Sequence, residues 1–467
     1  MRNPIIVLAC FTLLSACGGG TAPDKTLSPP LQSAAPVTNY WTVEGLQLEI
    51  DRARAVGNMP GLALVVVENG AITTVASGHR SAAGTAPLAS SDMFQVGSLT
   101  KAVTAMLIAR LVEQKRLRWD SSLAELFPEW SATMDQALRA ATVEQLLRHR
   151  SGIKRDLDEG DAVRLRPLAT GNLTVDRATT ALHVLREVPT SKPGAVYGYS
   201  NLGYMLLGMI AEKAGGAAYQ QLMAREVFAP LQVVASFWFP ENAGAAQPCG
   251  HVAQGVGWSP AVLTGEDRYV VDLVLPAGGL MLSAPEYGKL LRAHLDGLKG
   301  KSTYLENDTF KLIHTPVSNY GFGWAINDDA TLGRISAHDG NWGTYYTFAI
   351  VVPGANRAVA IMCNCYSRGA TQQIDAICAP NCYGRSSVAS QPTPQPGSCE
   401  NFPASLSQSE SDALVRGCLA AIGKQGGVAW GLLKHSTQPA HSSPISGCTL
   451  FCLASCRSCG ALPGIWA

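Results

Sequence analysis

The sequence lacks an excess of charge of either sign. Its 467 residues include 36 basic and 35 acidic side chains, which gives a formal net charge of +1 at pH 7. A protein that binds nucleic acid through its phosphates needs a basic surface, so this balance gives no reason to expect a nucleic-acid partner. Hydrophobic residues make up 47% of the chain. That is enough for a large core, or for two lobes that enclose a cleft.

The sequence also lacks an apolar run long enough to cross a membrane. The segment PIIVLACFTLL follows Arg2 and ends in LSAC. A charged start, a short apolar segment and small residues are typical of a secretory signal. LSAC before three glycines resembles a bacterial lipobox, which implies cleavage before Cys17 and a lipid on its sulfur; plain signal cleavage is the alternative. We expect a signal peptide over 1–17, a flexible tether over 18–40, and a periplasmic protein that contacts the membrane only through this lipid.

Cysteine is scarce before residue 360, where three of the 13 cysteines lie, and frequent after it. Beyond Tyr383 the composition changes to SSVASQPTPQPGS, which is typical of a linker. The cysteine-rich tail that follows shows neither helical nor strand periodicity. We expect residues 384–467 to be weakly ordered, with a small disulfide or metal knot as the alternative.

Residues 41–383 carry the periodicities of a folded α+β domain. GLALVVVENGAITTVASG predicts a hairpin that turns at Glu68-Asn69-Gly70, and RISAHDGN, YYTFAIVV and RAVAIMCNC predict three late strands. The middle of the domain is mostly helical. If the late strands return to the hairpin, they form one antiparallel sheet flanked by helices. We expect a helical domain beside this sheet and the active site in the cleft between them.

The stretch GSLTKAVTA places Ser98 and Lys101 three residues apart at the start of an apolar helix. Residues at this spacing share a helix face, so the two side chains can touch. A serine hydroxyl needs a base to become a nucleophile, and a lysine becomes a base when burial lowers its pKa. A second stretch, Ser151 to Lys154, has the same spacing but follows the end of a helix and is predicted to be a turn. We therefore assign the nucleophile to Ser98.

Two further motifs follow in chain order: YSN, Tyr199 to Asn201, at the beginning of a predicted helix, and HDG, His338 to Gly340, on a predicted strand. The order S-x-x-K, Y-x-N, H-x-G resembles the serine penicillin-recognising family. That family includes class C β-lactamases, D-alanyl-D-alanine carboxypeptidases and family VIII carboxylesterases, and it implies a β-lactamase/transpeptidase-like fold. LLRHRSG, PAGGLMLSAPEYGKLL and YGFGW are also similar to stretches of the family. We take His149 in LLRHRSG as structural.

The resemblance implies catalytic roles for three residues. Ser98 is expected to be the acylated nucleophile, and Tyr199 is expected to pass a proton to the leaving group. Lys101 is expected either to act as the base for Ser98 or to keep Tyr199 partly ionised. Asn201 is expected to orient both the substrate and Lys101. No metal and no cofactor is implied.

The strand motif is expected to bind substrate. His338 is expected to line the cleft, and Gly340 is expected to leave room for the substrate beside the strand. The backbone N–H groups of Ser98 and Asn341 are expected to form the oxyanion hole. Strand alternation predicts that Asp339 points away from the face of His338.

The third motif departs from the β-lactamases, in which it usually starts with a lysine that attracts the carboxylate of the drug. His338 is mostly neutral at pH 7 unless its surroundings perturb it. We therefore expect a small-molecule ester, amide or β-lactam as substrate, with esters preferred and a peptidoglycan peptide as a further alternative. A different class of function is a non-catalytic penicillin-binding-like envelope protein, but the complete set Ser98, Lys101 and Tyr199 favours a hydrolase.

Overall fold

The computed structural model describes residues 42–237, 246–255, 257–261 and 265–383. The predicted signal peptide with Cys17, the tether and the tail from residue 384 all lie outside the described residues. Within the described part of the chain, no helix combines the length and the apolar character that a membrane span requires.

The strands of the main sheet come from the two ends of the domain, and most of the helices lie between them along the chain. The α-helices run over Val43–Val56 (α1), Thr100–Glu113 (α2), Leu123–Leu126 (α3), Val143–Leu147 (α4), Glu159–Leu165 (α5), Leu173–Leu185 (α6), Asn201–Gly215 (α7), Tyr219–Leu222 (α8), Ala229–Leu231 (α9), Gly265–Leu273 (α10), Leu275–Gly278 (α11), Ala284–Leu298 (α12), Asn307–Ile313 (α13) and Arg368–Tyr383 (α14). The strands run over Gly61–Glu68 (β1), Ala71–Gly78 (β2), Phe94–Gln95 (β3), His251–Gln254 (β4), Gly257–Pro260 (β5), Met281–Leu282 (β6), Ala325–Asp329 (β7), Gly333–Asn341 (β8), Tyr346–Val352 (β9) and Arg357–Cys363 (β10).

Strands from both ends of the domain form one antiparallel sheet of six strands in the order β2-β1-β10-β9-β8-β7. The predicted hairpin is confirmed: β1 and β2 join through Asn69 and Gly70, whose φ angles of 51° and 83° suit a tight turn. β1 also pairs with β10, from Leu62 opposite Cys363 to Glu68 opposite Arg357. The late strands therefore do return to the early hairpin, and the α+β prediction is confirmed.

Helices cover both faces of the centre of the sheet. Alternate residues of β1 point to opposite faces. Leu62, Leu64 and Val66 pack in a core cluster with residues of α1 and α14. Ala63, Val65 and Val67 belong to the larger core, which includes residues of α2, α7 and α12. This double cover explains why β1 is apolar along nearly its whole length and shows no alternation in its sequence.

The helical part is built around α2 and α7. The predicted all-round burial of α2 is confirmed, because almost every residue from Thr100 to Leu111 is buried. Helix α7 packs closely against α11, since a Cβ on Gly208 would lie only 2.2 Å from Cγ of Pro276. The helices α2, α7 and α11 thus pack against one another. This packing brings together Lys101 of α2, Asn201 of α7 and the carbonyl group of Ala277 in α11.

Candidate active site

Ser98 lies on a single turn of 3-10 helix, Gly97–Leu99, which leads directly into α2. Gly97 has φ 53°, a left-handed conformation that favours glycine. A Cβ at Gly97 would lie 2.6 Å from the backbone nitrogen of Asn341. The turn therefore fits directly against the end of β8. It leaves the side chain of Ser98 half-buried between two buried neighbours.

Lys101 is fully buried one turn beyond the serine. Its Nζ lies 3.1 Å from Ser98 Oγ, 2.7 Å from Asn201 Oδ1 and 2.7 Å from the carbonyl oxygen of Ala277. Burial lowers the pKa of Lys101 well below its usual range, against the opposing charge of Asp156. Amide and carbonyl oxygens can only accept, so a neutral amine donates both of its N–H groups to them. Its lone pair then faces Ser98.

Tyr199 contacts the same serine oxygen from the other side. Its hydroxyl donates to Ser98 Oγ at 2.8 Å, and Lys101 Nζ lies 4.8 Å from the centre of its ring. Burial raises the pKa of Tyr199, so its phenol is neutral at pH 7. Of the two roles expected for Lys101, these facts favour the base for Ser98. They argue against a partly ionised tyrosine in the resting site.

Asn201 is the first residue of α7, and the capping position belongs to its neighbour. Ser200 Oγ accepts from the Gly203 N–H at 2.8 Å and so satisfies the end of the helix. The amide of Asn201 is thereby left for the site. Its Oδ1 faces Lys101, and its Nδ2 donates to Asp156 Oδ1 at 2.6 Å. Asp156 was not among the predicted residues, since an Arg-Asp pair in a loop is too common to single it out.

His338 lies on β8 and is only 8% exposed. Its Nδ1 donates to the carbonyl oxygen of Asp339 at 2.6 Å, and its Nε2 accepts from the Tyr320 hydroxyl at 3.0 Å. Burial lowers the pKa of His338, so the ring is neutral at pH 7. Its ring centre lies 6.3 Å from that of Tyr199, and Asp339 is exposed on the opposite face as alternation predicts. This strand therefore supplies no cation to the site through His338.

Gly340 lies in direct contact with the turn that carries the nucleophile. A Cβ at this position would lie 1.9 Å from the carbonyl oxygen of Val96 and 3.0 Å from the backbone nitrogen of Ser98. The glycine therefore lets β8 pack on the turn, which differs from the expected role of leaving room for substrate. The same contact brings the end of β8, with Asn341, beside Ser98. This is the arrangement that the predicted pair of oxyanion donors requires.

His149 holds the chain on both sides of Tyr199. Its Nδ1 accepts from the Ser200 N–H at 3.0 Å, and its carbonyl oxygen accepts from the Gly198 N–H at 2.7 Å. The ring is fully buried and its centre lies 4.3 Å from that of Tyr199. The structural interpretation of His149 agrees with these contacts, and the structure shows that the segment it supports is the one that carries the tyrosine.

The second S-x-x-K stretch has different surroundings. Lys154 Nζ lies 2.6 Å from Asp161 Oδ2 and 2.7 Å from Glu187 Oε2. Ser151 is buried, and its hydroxyl accepts from the Ile153 N–H at 3.4 Å. This lysine contacts carboxylates and has no contact with the serine of its own motif in the structure. The preference for Ser98 over Ser151 agrees with this geometry.

Comparison with known proteins supports the same interpretation of the fold. The family model described as Beta-lactamase matches residues 47–377. Penicillin-binding protein 4 from Amycolatopsis lactamdurans is 29% identical over 345 residues, which cover 68% of this chain and 84% of that protein. The chain spans 60% of the length of further curated relatives that it matches.

Two solved structures share the architecture. The crystal structure of SurE superposes with a TM-score of 0.61 and 24% sequence identity, covering 78% of this chain and 80% of that one. EstCE1, described as a hydrolase with promiscuous acyltransferase activity, superposes with a TM-score of 0.59 and 19% identity, covering 72% of this chain and 97% of that one. These similarities show a common fold.

Proposed function

Because the chain belongs to the beta-lactamase family, we propose that it is a serine hydrolase that cleaves an ester or amide bond through an acyl-enzyme on Ser98. One observation carries the proposal: Lys101 Nζ at 3.1 Å and the Tyr199 hydroxyl at 2.8 Å converge on the same serine oxygen. A penicillin-binding relative and a structural neighbour described as a hydrolase support this type of activity.

In the first step Lys101 is the base. Its neutral amine takes the proton of the Ser98 hydroxyl while the serine oxygen attacks the carbonyl carbon of the substrate. The resulting ammonium keeps its contacts with Asn201 Oδ1 and the Ala277 carbonyl. These fixed dipoles stabilise the new positive charge, which lets a buried lysine accept a proton without water around it.

The negative oxygen of the tetrahedral intermediate faces the backbone N–H groups of Ser98 and Asn341. Each such donor contributes about 3–4 kcal/mol of transition-state stabilisation in enzymes of this kind. Their positions depend on the close packing of the two glycines, Gly97 and Gly340. The nucleophile and the oxyanion donors are therefore fixed by one contact between the turn and β8.

Tyr199 supplies the proton that the leaving group needs. The neutral phenol donates to the departing oxygen or nitrogen as its bond to the carbonyl carbon breaks, which leaves the acyl group esterified to Ser98. The ammonium of Lys101, close to the tyrosine ring, returns the proton to the tyrosine. Water then attacks the acyl-enzyme with Lys101 again as base, and Ser98 leaves with its proton restored.

We propose that neutral esters are preferred over β-lactams. Support comes from His338, which is neutral and has both ring nitrogens in hydrogen bonds. A carboxylate-bearing substrate gains from a cation beside the strand, and a neutral ester does not need one. A second candidate, hydrolysis of β-lactams or peptides ending in D-alanine, is favoured by Arg155. Its guanidinium carbon lies 4.9 Å from the centre of the Tyr199 ring, and its side chain is 50% exposed.

The test is a comparison of kcat/KM for p-nitrophenyl butyrate, nitrocefin and a D-Ala-D-Ala peptide. We expect the butyrate ester to have the highest value, with no loss in Arg155→Gln. If nitrocefin or the peptide is preferred and Arg155→Gln lowers that value, the second candidate replaces the first. If no substrate turns over and a fluorophosphonate leaves Ser98 unmodified, the protein is a binding module.

A further inference from the structure

Asp156 contacts Asn201, whose amide oxygen in turn contacts Lys101. Its Oδ1 accepts from Asn201 Nδ2 at 2.6 Å, and its Oδ2 accepts from Arg155 Nε at 3.1 Å. We infer that Asp156 is a positioning residue that fixes the Asn201 amide with its oxygen toward Lys101 and places a negative charge beside that base. The inference deepens the proposed function and rests on it, since it assigns a residue that acts through Asn201 and Lys101.

The amide of Asn201 needs a partner that fixes its orientation. Its oxygen and nitrogen ends have nearly the same shape, so a half-turn would place the NH₂ group against Lys101. An ionised carboxylate only accepts, and it therefore holds the NH₂ end of Asn201 on its own side. The oxygen is left facing Lys101 Nζ at 2.7 Å. Without Asp156 both orientations become available, and one of them removes a contact from the base.

The main chain of the loop is held independently of the Asp156 side chain. The carbonyl oxygen of Arg155 accepts from the Asn201 N–H at 2.8 Å and from the Leu202 N–H at 3.3 Å. The carbonyl oxygen of Lys154 accepts from Ser200 Oγ at 2.7 Å. These bonds tie the loop to the first turn of α7. A substitution at position 156 therefore removes the carboxylate while the backbone contacts that place it remain.

The charge of Asp156 acts on Lys101 together with a small set of neighbours. The charged or titratable groups that lie near Lys101 or act on its charge come from the loop, from β8, from α7 and the segment just before it, and from the segment just after α4: Arg155, Asp156, His338, Asp339, Tyr199, Tyr204 and His149. The two aspartates are the anions in this set. Asp156 acts more strongly than Asp339 to raise the pKa of Lys101, although burial outweighs both.

Two substitutions separate the hydrogen bond from the charge. Asp156→Asn keeps an oxygen that can accept from Asn201 Nδ2 but removes the charge, and Asp156→Ala removes both. Glu159→Gln is the matched control, because it removes one exposed negative charge from the first residue of α5, three positions along the chain. Tm of each variant shows whether the fold is retained.

In Asp156→Asn we expect the plateau value of kcat to stay within about threefold of the wild type, because the hydrogen bond to Asn201 is kept. The acidic limb of the kcat/KM profile should move to lower pH, because Lys101 loses a negative neighbour that favours its ammonium form. In Asp156→Ala we expect the same shift and a fall in kcat of about tenfold or more, because the base is misoriented. KM for p-nitrophenyl butyrate changes little in either, and Glu159→Gln matches the wild type.

An unchanged acidic limb in both Asp156 variants, or an unchanged kcat in Asp156→Ala, overturns the inference. A second readout does not need turnover. The Nζ resonance of Lys101 in the full-length ¹⁵N-labelled protein, assigned with Lys101→Met, should titrate at lower pH in Asp156→Asn than in the wild type. If the wild type hydrolyses nothing, the proposed function fails, and this titration still decides whether Asp156 acts on Lys101.

Discussion

The two S-x-x-K stretches have the same residue types at the same spacing, and the structure gives their lysines opposite surroundings. Lys101 is fully buried among uncharged polar groups, including the hydroxyl of Ser98. Lys154 lies between the carboxylates of Asp161 and Glu187, at 2.6 and 2.7 Å. One lysine contacts a serine hydroxyl, and the other contacts carboxylates.

The surroundings move the two pKa values in opposite directions. Burial lowers the pKa of Lys101. Burial also acts on Lys154, but its hydrogen bonds with Asp161 and Glu187 outweigh that effect and its pKa is raised. A lysine that loses its proton easily can act as a base, whereas a lysine held as an ammonium can only pair with anions. The motif therefore acquires its chemistry from what packs around it.

The largest expected difference between the two stretches lies in the serines. Ser98→Ala should lower turnover by about 10⁴-fold or more, because no acyl-enzyme can form without the Ser98 hydroxyl. Ser151→Ala should keep nearly full activity, since its hydroxyl only accepts a backbone N–H. Intact mass after treatment with a fluorophosphonate checks both. An adduct that persists on Ser98→Ala, or disappears from Ser151→Ala, would reverse the assignment.

The next largest difference is expected in kcat when each lysine is replaced. Lys101→Met should lower kcat by about 10²–10⁴-fold, the range for a lost general base. Lys154→Met should lower kcat by no more than about threefold, because Lys154 Nζ contacts only carboxylates. Steady-state kinetics with p-nitrophenyl butyrate measure both, and circular dichroism shows that each variant is folded. Equal losses in two folded variants would show that the contrast between the lysines has no catalytic meaning.

Lys154→Met should lose more stability than Lys101→Met, which is the reverse of the order expected for their activities. Lys154→Met leaves the fully buried carboxylate of Asp161 without its nearest cation. Loss of one partner of a buried pair costs about 3–5 kcal/mol, and about 2–3 kcal/mol is expected here because the side chain of Lys154 is 19% exposed. Lys101→Met removes a buried amine whose charge is disfavoured and should cost less. Urea unfolding of both variants tests the order, which fails if Lys101→Met is the less stable one.

Patterns in the sequence were sufficient to predict the sheet and the contact between Ser98 and Lys101. The β-rich composition of the late strands, the Asn69-Gly70 turn and the i, i+3 spacing of Ser98 and Lys101 are local patterns, and local patterns determine local geometry. The meeting of Lys101 with Tyr199 was predicted through a family resemblance. The spacing of the residues alone does not show that α2 and α7 pack together.

The supporting residues could not be predicted in the same way. Asp156 reaches Asn201 only because two backbone carbonyls tie its loop to α7, and no pattern in the sequence reports such ties. His149 holds Tyr199 through backbone N–H groups on both sides, which any residue type there would offer. Gly340 was predicted as a site residue for another reason, since the collision that excludes a side chain involves the carbonyl of Val96.

The last expected difference is in how stability depends on alkaline pH, and its sign differs between the lysines. The pKa of Lys101 is lower in the folded state, so between that value and about pH 10.4 the unfolded chain binds the extra proton, and this contribution to stability rises with pH. The pKa of Lys154 is raised by folding, so its contribution is complete below about pH 10.4 and is lost as the pH rises through the folded value. Each slope is at most about 1.4 kcal/mol per pH unit.

The test is the free energy of unfolding of the wild type and both variants, measured between pH 7 and 11. The stability of the wild type relative to Lys101→Met should increase as the pH rises to about 10.4, and its stability relative to Lys154→Met should decrease above about pH 10.4. Other groups that titrate in this range cancel in the two differences, so trends of the same sign would show that the two lysines do not have the opposed surroundings described here.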